Sequence, residues 1–369
     1  MRSTNPGWVP DSPLRRQLTP EWLAFFRTFP KAETHCHLLG TIAESTFRDL
    51  VRESGASVSD AEISAFYTRG EKPVGVLKIF RTLEAQVLRE PEMLRRIALE
   101  HLERAASLGV RWIEFSWNWT GLSRWMSYAD GARAIQSALL EAPERFGISG
   151  CLIPAIDREA SPEDACRLVE EVLSMKDRSL VPGIGIDYRE TGHEPENFWK
   201  AFRLASEGGL KITIHAGEFG EHWRNVETAV DLLGACRIDH GYTIVDNPEL
   251  VERAKRLALP FAVVPTNSYY LRTLEPDRWA LDHPIRRMRD LGLSVYPNSD
   301  DPTMHRVSID ESWRIPFEFF GFSLEDTRRM LAASIEASWA DASDARRWRV
   351  EWLEEFDRLA AGLPALSTD

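Results

Sequence analysis

Residues 32–37 read AETHCH and form the first of eight short runs that alternate with longer amphipathic stretches along the chain. This alternation is typical of βα units around a parallel sheet. The predicted strands cover Ala32–His37, Val110–Trp117, Ile148–Ile156, Val181–Asp187, Lys211–His215, Arg237–Tyr242, Pro260–Pro265 and Ser294–Asn298. Eight strands with helices between them predict an α/β fold, a (β/α)8 TIM barrel with extra helices over its C-terminal face. A doubly wound sheet shows the same alternation and stays the alternative.

Helix signals between the runs support this count. Ser161-Pro162 and Asn247-Pro248 each place a capping residue before a first-turn proline. Thr41 with Glu44 predicts a capping box, and Gly55 is expected to end the helix that follows.

Two segments fall outside the regular alternation. Residues 1–25 are predicted to be an N-terminal extension. Residues 40–91 exceed a simple crossover between the first two strands, so we expect them to add a lid or insertion over the barrel mouth. The sequence contains no linker-like or low-complexity segment. We therefore predict that residues 1–369 form one domain.

The composition predicts a soluble globular protein. Of 369 residues, 43% are hydrophobic and 28% charged, which provides ample material for a core. Lys and Arg total 45 against 57 Asp and Glu, and this net charge of −12 argues against nucleic acid and anionic membranes as partners. Neither an 18-residue apolar run nor a secretory signal is visible, and the four scattered cysteines suit a reducing compartment. The expected location is the cytoplasm.

Two histidines at the end of the first predicted strand indicate half of a metal site. Residues i and i+2 of a strand point to the same face, so His35 and His37 converge while Cys36 points away. Taken alone, a His-x-His pair is weak evidence, since short histidine pairs also arise by chance.

Three other predicted strands also end in polar side chains. Strand five runs into HAGE (residues 215–218), strand six into DHG (239–241) and strand eight into NSDDP (298–302). Active sites of barrels are built at the carboxyl ends of the strands. One shared site is therefore a better explanation than four separate accidents.

The predicted ligands are His35, His37, His215 and Asp300. Three neutral nitrogens and one carboxylate suit a borderline cation such as zinc, and Fe2+ or Co2+ would also fit. A bound cation lowers the pKa of water from about 15.7 towards about 7 and so supplies hydroxide for a hydrolysis. His240 and Asp300 are placed to orient that hydroxide or take its proton, and Glu218 is free to act as general acid.

The end of strand four bears on the number of metal ions. Barrels that hold two metals commonly need a carboxylated lysine there. Residues 185–189 read GIDYR and contain no lysine, so the sequence predicts one metal ion per chain.

Four motifs together resemble those of the adenosine deaminase family of the amidohydrolase superfamily. They are PKAETHCHL (residues 30–38), HAGE (215–218), RIDHG (237–241) and SDDP (299–302). They occur in the family's order and extend over residues 30–340, most of the chain. The resemblance implies a zinc barrel with one metal that hydrolyses an exocyclic amine from a small-molecule aminopurine.

The resemblance also implies a role for each residue that matches a family motif. The implied metal ligands are His35, His37, His215 and Asp300. Glu218 would protonate the ring nitrogen beside the attacked carbon, and His240 would stabilise the attacking hydroxide. Asp301 would hydrogen-bond another ring nitrogen.

Two departures from the family pattern concern the substrate. Leu39 stands where the family commonly has an aspartate that meets a ribose hydroxyl, so ordinary adenosine is expected to be a poor substrate. The family's glycine-containing segment after strand four is replaced by YRETGH, in which Glu190 and Gly192 are the candidate purine contacts. Together with Trp117, these changes predict a pocket for a flatter or more apolar compound, such as adenine or an alkylated derivative.

Two alternatives stay open. The same metal barrel would also serve to hydrolyse an amide, an ester or another amino-heterocycle, and release of carboxylate instead of ammonia would identify that reaction. A non-catalytic binding protein on the same frame would purify without metal.

The remaining histidines and cysteines are expected to be structural or solvated. We predict a solvated His101 and surface positions for His193, His222, His283 and His305. A position at the border of the pocket is the alternative for His193, His222 and His305. Cys151, Cys166 and Cys236 are interpreted as small buried apolar residues.

Overall fold

A computed structural model describes residues 9–69 and 75–366, and within these ranges the chain forms eight parallel strands. They are β1 (Lys31–His37), β2 (Val110–Trp117), β3 (Ser149–Asp157), β4 (Gly183–Asp187), β5 (Lys211–Ala216), β6 (Arg237–His240), β7 (Pro260–Val263) and β8 (Ser294–Pro297). Each strand pairs with the next in chain order, which confirms the barrel and excludes a doubly wound sheet. The predicted strand ends agree to within two residues; β6, for example, ends at His240 and not at Tyr242.

Helices surround the strands in the described ranges. They are α1 (Pro20–Thr28), α2 (Glu44–Ser54), α3 (Asp60–Phe66), α4 (Val76–Thr82), α5 (Pro91–Ser107), α6 (Tyr128–Phe146), α7 (Pro162–Ser174), α8 (Trp199–Glu207), α9 (Arg224–Asp231), α10 (Pro248–Arg256), α11 (Ser268–Thr273), α12 (Trp279–Asp282), α13 (Pro284–Asp290), α14 (Ile309–Phe319), α15 (Leu324–Ala337) and α16 (Ala342–Ala360). None of these described helices is long and apolar enough to cross a membrane.

The predicted helix ends are mostly confirmed. Ser161 and Asn247 cap α7 and α10 through their side chains, and Gly55 ends α2 with a φ of +65°. The capping box at Thr41 is wrong. Leu38–Thr41 forms a separate turn in which the Thr41 hydroxyl donates to the Leu38 carbonyl, so α2 begins after Ala43 without a side-chain cap.

The barrel is closed between β8 and β1 by residues at the carboxyl end of β1. The side-chain oxygen of Asn298 accepts hydrogen bonds from the backbone N–H groups of Thr34 and His35, at 2.9 and 3.1 Å. Just beyond, the N–H of His37 donates to the carbonyl of Asp300 and the N–H of Asp300 donates to the carbonyl of His35. We call this set of hydrogen bonds the β8–β1 seam.

The segments outside the regular alternation cover two parts of the barrel. Helices α2, α3 and α4 precede the crossover helix α5, and Phe66, Val76 and Phe80 of this segment line the main cavity. At the other segment, residue Ser12 donates to the carbonyl of Phe319 on α14 at 2.8 Å. The lid role of 40–91, the extension at 1–25 and the single-domain assignment stay predictions, and residues 1–8 and 70–74 lie outside the described residues.

A buried ion pair supports the barrel away from its carboxyl ends. The Arg237 guanidinium donates to the Glu114 carboxylate at 2.8 Å and lies over the ring of Trp339. The indole of Trp112 and the backbone N–H of Trp339 also donate to Glu114. These contacts tie β2, β6 and the segment after α15 together, so Glu114 is a structural carboxylate.

Candidate metal centre and active site

Four side chains from three different strand ends converge on one point. The Nε2 atoms of His35 and His37 lie 3.2 and 3.1 Å from Oδ1 of Asp300, and Nε2 of His37 lies 3.2 Å from Nε2 of His215. All four residues are buried, and one donor atom from each lies within 4.8 Å of the others. The structure therefore brings together the ligand set that the sequence predicts.

The donor set fits a divalent cation. Both ring nitrogens of His35 and Nδ1 of His215 are buried without a hydrogen bond among the described residues, which is costly unless another group satisfies them. Donor atoms about 3.2 Å apart match neighbouring ligands around an ion whose bonds measure about 2.0–2.1 Å. Two imidazoles of this set turn Nε2 towards the same carboxylate oxygen, as a shared cation requires.

Two aspartates outside the predicted ligand set face the far side of these imidazoles. The Asp239 carboxylate lies 3.4 Å from Nδ1 of His215 and 3.9 Å from Nδ1 of His35. Asp187 lies 3.4 Å from Nδ1 of His37. A carboxylate on the second ring nitrogen fixes the tautomer and orientation of a metal-binding histidine and raises its basicity.

A second cluster, Glu218 with His240 and Asp300, borders the ligand set. Glu218 Oε2 lies 3.6 Å from Nε2 of His240, and Glu218 Oε1 accepts a hydrogen bond from the Asn267 amide at 3.1 Å. Donor atoms of the three clustered residues lie within 4.8 Å of one another. An acid, an imidazole and a predicted ligand thus meet at one place.

The electrostatics of this cluster separate an acid from a base. Burial raises the pKa of the Glu218 carboxyl well above its usual range, and the negative charges of Asp300 and Glu190 act in the same direction. Burial also lowers the pKa of His240, with a further contribution from the charge of His35. These shifts favour a protonated Glu218 and a neutral His240, the states of a general acid and a proton acceptor.

The backbone is strained where these side chains leave their strands. Tyr188, His240 and Asp300 adopt positive φ values of 69°, 70° and 64°, a region that non-glycine residues rarely occupy. Between His215 and Glu218, Gly217 takes a φ of 67°, and a Cβ there would meet the Thr243 hydroxyl at 2.5 Å. Such strain is maintained by surrounding contacts and collects at functional sites.

The clusters lie at the base of a cavity of about 570 Å3. Its floor is lined by His37, His215, Glu218, His240, Asp300 and Asp301, and its wall includes Phe66, Val76, Leu77, Phe80, Tyr188, Phe219, Tyr269 and Met304. Ligand pockets usually combine such apolar walls with a few convergent polar groups. This cavity thus has the size and lining of a small-molecule site.

Only one of the five predicted substrate contacts, Asp301, lines this cavity. Burial raises the pKa of its carboxyl well above the usual range, and the charge of Asp300 adds to the effect. Leu39 is buried on the turn that follows β1. Trp117 is also buried, stacks on Tyr128 and does not line the cavity.

The segment after β4 differs from its predicted role. Glu190 accepts hydrogen bonds from the backbone N–H groups of Gly217 and Glu218, at 2.7 and 2.8 Å, and from the Asn225 amide. It is therefore placed to hold the loop that carries Glu218. Gly192 is exposed, with nothing within 4 Å of a Cβ built on it, and its neighbour Thr191 lines the cavity instead.

Some predictions for the other side chains are wrong. His305 is buried and lines the cavity, with Nε2 3.8 Å from Asp301, because the chain after β8 turns back over the barrel mouth. His101 is buried beside Cys36 and Phe115 because α5 packs on the barrel with that face. Cys236 is exposed, since it lies just before the first residue of β6.

Sequence reasoning left out Asp187 and Asp239 as partners of the ligands. Asp239 stands directly before His240 in a motif already singled out, and Asp187 ends β4. Position at a strand end was the available signal for both. Which imidazole nitrogen each faces depends on strand stagger, and the one-dimensional pattern does not contain that information.

Comparisons with known proteins identify the family of this chain. The chain matches the adenosine deaminase family over residues 30–352. It is 30% identical over 342 residues to an adenine deaminase of Cupriavidus necator, covering 92% of this chain and 94% of that protein. It is 32% identical over 331 residues to an adenine deaminase of Streptomyces coelicolor, covering 89% and 95%.

Solved structures give the same result. An amidohydrolase from Burkholderia ambifaria, determined with bound Zn, is 50% identical with a TM-score of 0.95 over 97% of this chain and 99% of that one. Adenine deaminase from Arthrobacter aurescens is 27% identical with a TM-score of 0.81, covering 90% and 100%. This chain belongs to the adenosine deaminase family and is a metal-dependent hydrolase that acts on C–N bonds of cyclic amidines.

Proposed function

We propose that this protein is a zinc-dependent deaminase that hydrolyses the exocyclic amine of an aminopurine and releases ammonia. The observation that carries the proposal is the buried Glu218, which lines the same cavity as His240 and the ligand set and whose pKa is raised by burial. A neutral carboxyl group at that position suits proton donation to a ring nitrogen. Its relatives of 30–32% identity are adenine deaminases, which supports an aminopurine as the substrate class.

The proposed metal ligands are His35, His37, His215 and Asp300, with one ion per chain. Zinc bound there would supply Lewis acidity and lower the pKa of water. The Zn-bound relative at 50% identity supports zinc over Fe2+ or Co2+. Asp239 and Asp187 hold the imidazoles in position by facing their Nδ1 atoms.

The chain's own residues divide the remaining work. Glu218 donates its proton to the ring nitrogen beside the attacked carbon, which makes that carbon more electrophilic. His240, neutral through burial, accepts a hydrogen bond and then a proton from the attacking water. His240 passes that proton to the exocyclic nitrogen, the C–N bond breaks and ammonia leaves. The remaining hydroxyl proton returns to Glu218 as a carbonyl forms where the amine was.

Two further contacts orient the base in this proposal. Burial and the nearby charge of Asp300 raise the pKa of the Asp301 carboxyl, which favours the protonated form that would donate a hydrogen bond to a second ring nitrogen. Glu190 anchors the Gly217 and Glu218 amides and thereby holds the acid in place. Leu39 offers no polar group on its side of the site.

A substrate panel with two readouts tests the proposal. Purified protein is assayed for bound metal by elemental analysis, for ammonia release from adenine, adenosine and 2-aminopurine, and for methylamine release from N6-methyladenine. Simple amide and ester substrates are included, with carboxylate as the measured product. One zinc per chain and ammonia from an aminopurine would support the function. Carboxylate production alone, or protein that purifies without metal, would contradict it.

A further inference from the structure

The charged residues that line the main cavity are divided by depth. The four carboxylates, Asp187, Glu218, Asp300 and Asp301, are all buried. The basic residues, by contrast, lie towards solvent: Lys78, Arg189 and Arg272 are exposed and Arg69 is partly buried. Every exposed charge among the described lining residues is therefore positive, on a chain whose net charge is −12.

Two of these guanidinium groups converge on one residue. Arg69 donates to the Ser268 hydroxyl at 3.3 Å, and Nε of Arg272 donates to the Ser268 carbonyl at 3.0 Å. Arg69 is held in addition by the carbonyls of Thr266 and His305. We call Arg69, Ser268 and Arg272 the mouth cluster.

The mouth cluster adjoins the proposed acid along the chain. Asn267, which donates to Glu218 at 3.1 Å, directly precedes Ser268. A purine ring whose nitrogen contacts Glu218 therefore lies close to the mouth cluster, because Asn267 contacts Glu218 and the next residue, Ser268, belongs to that cluster. A substituent that leaves the ring in that direction meets two positive charges.

Two of the exposed cationic side chains at the mouth have no ion-pair partner in the described part of the chain, and a third shares its partner. Lys78 and Arg272 form no ion pair within the described residues. Arg189 lies 3.4 Å from Glu159, but that carboxylate also pairs with Arg81 at 2.9 Å. Guanidinium groups recognise phosphate and carboxylate through charge-assisted hydrogen bonds.

The cavity volume agrees with a substituted base. Pockets of about 300–1000 Å3 hold drug-sized ligands, and a bare purine is well below that size. A cavity of about 570 Å3 leaves space between the floor and the mouth cluster for a substituent. We propose that the substrate is an aminopurine bearing an anionic group, phosphate or carboxylate, which Arg272 and Arg69 bind at the cavity mouth. The inference rests on the proposed deaminase function, which accounts for the residues at the cavity floor. It adds the chemical class of the substrate.

Matched substrates test the charge requirement. Ammonia release by the metal-loaded protein is compared for adenosine 5′-monophosphate against adenosine, and for adenine-9-acetate against 9-ethyladenine. We expect kcat/KM to be at least about tenfold higher for one anionic member than for its neutral partner, the size of one charge-assisted contact. The pair with the larger ratio identifies phosphate or carboxylate. Equal or higher rates for both neutral partners would overturn the inference.

A charge variant locates the effect. Arg272→Gln should lower kcat/KM for the anionic substrate about tenfold and change the neutral one less than twofold. Arg346→Gln, which removes an exposed charge on the outer helix α16, is the control for the overall change in charge. Equal losses on both substrates in Arg272→Gln would contradict a role in anion binding.

Binding of a purine that lacks an exocyclic amine separates the two proposals. Calorimetry compares inosine 5′-monophosphate with inosine, and 9-carboxymethylhypoxanthine with 9-ethylhypoxanthine, without any turnover. If no aminopurine is deaminated but one anionic ligand binds at least tenfold tighter, and Arg272→Gln removes this difference, the anion site stands and the deaminase function fails. Equal affinities within both pairs overturn the anion site, whatever the deamination result.

Discussion

The Nε2 atoms of His37 and His215 lie 3.2 Å apart, although the two residues are 178 positions apart in the chain. Among the described residues, the Asp300 carboxylate is the one further acceptor near these two nitrogens, with Oδ1 3.1 Å from Nε2 of His37. Two buried nitrogens turned towards each other at this distance are stabilised when a cation lies between them. Metal content is thus the first property to measure.

Replacing His215 by alanine should lower the bound metal. The change removes one of four donors, and metal affinity depends on the number of deprotonated ligands. Elemental analysis after dialysis should find less than half of the wild-type content. Full retention of metal in His215→Ala would mean that the ligand set is assigned incorrectly.

Replacing Glu218 by glutamine should remove turnover and leave the metal in place. Glutamine keeps the shape and can still interact with Asn267, but its amide has no acidic proton to transfer to the substrate. Loss of a general acid costs about 10²–10⁴-fold in rate, so kcat for ammonia release should fall by about this factor. Loss of metal together with activity would show that Glu218 acts as a ligand.

Replacing Asp239 by asparagine should weaken metal binding without removing a ligand. Asp239 faces Nδ1 of both His215 and His35, and such outer carboxylates are worth about 10–100-fold in metal affinity. Competition with a chromogenic chelator measures the change. The control is Asp246→Asn, an exposed aspartate outside the cavity, and an equal effect there would contradict the assigned role.

Replacing Glu114 by alanine should destabilise the fold. The change leaves the buried Arg237 guanidinium without its carboxylate, which costs about 3–5 kcal/mol in the free energy of unfolding. Urea denaturation of metal-loaded protein measures this cost. Glu355→Ala breaks the partly exposed pair with Arg111 and should cost no more than about 1 kcal/mol. Similar costs for the two variants would contradict the structural role of Glu114.

The buried Lys31 predicts a pH dependence of stability. Its ammonium donates to the carbonyls of Phe29 and Leu108, and burial lowers its pKa to about 7 from an ordinary value of 10.5. Between these values the unfolded chain binds a proton that the folded chain does not. Stability therefore rises with pH from about 7 to 10.5, by up to about 1.4 kcal/mol per pH unit, and the rise is lost as the pH falls to 7.

Lys31→Met isolates this contribution. The free energy of unfolding of the wild type minus that of the variant should increase between pH 7 and pH 10. Other groups that titrate in this range are common to both proteins and cancel in the difference. A difference that stays constant with pH would mean that Lys31 is charged in the folded protein.

The alternation of short runs and amphipathic stretches was sufficient to predict all eight strands and the barrel. The pattern is sufficient because a parallel strand that is buried on both faces can be recognised locally, as a short run of apolar residues. The ligand set followed from the same pattern, since the carboxyl ends of barrel strands share one face. The Thr41 capping box failed because an unforeseen turn at Leu38–Thr41 delays α2.

The lining of the cavity could not be predicted in the same way. The family pattern after strand four assigns Glu190 and Gly192 to the substrate, and Trp117 is assigned from its place near the end of strand two. The structure places none of them on the cavity wall, because loop courses after β2 and β4 decide which side chains turn inwards. The surface position favoured for His305 is wrong for the converse reason, since a loop folds it back over Asp301.

The β8–β1 seam determines when the metal centre can be completed. As a new chain leaves the ribosome, His35 and His37 emerge early, whereas Asn298 and Asp300 come from the last strand region to be translated. The hydrogen bonds that join Asp300 to the backbone of His35 and His37 form only after that region has docked. Metal loading therefore follows translation of at least the first 300 residues, and a nascent chain stalled before that point would lack the complete set of donors.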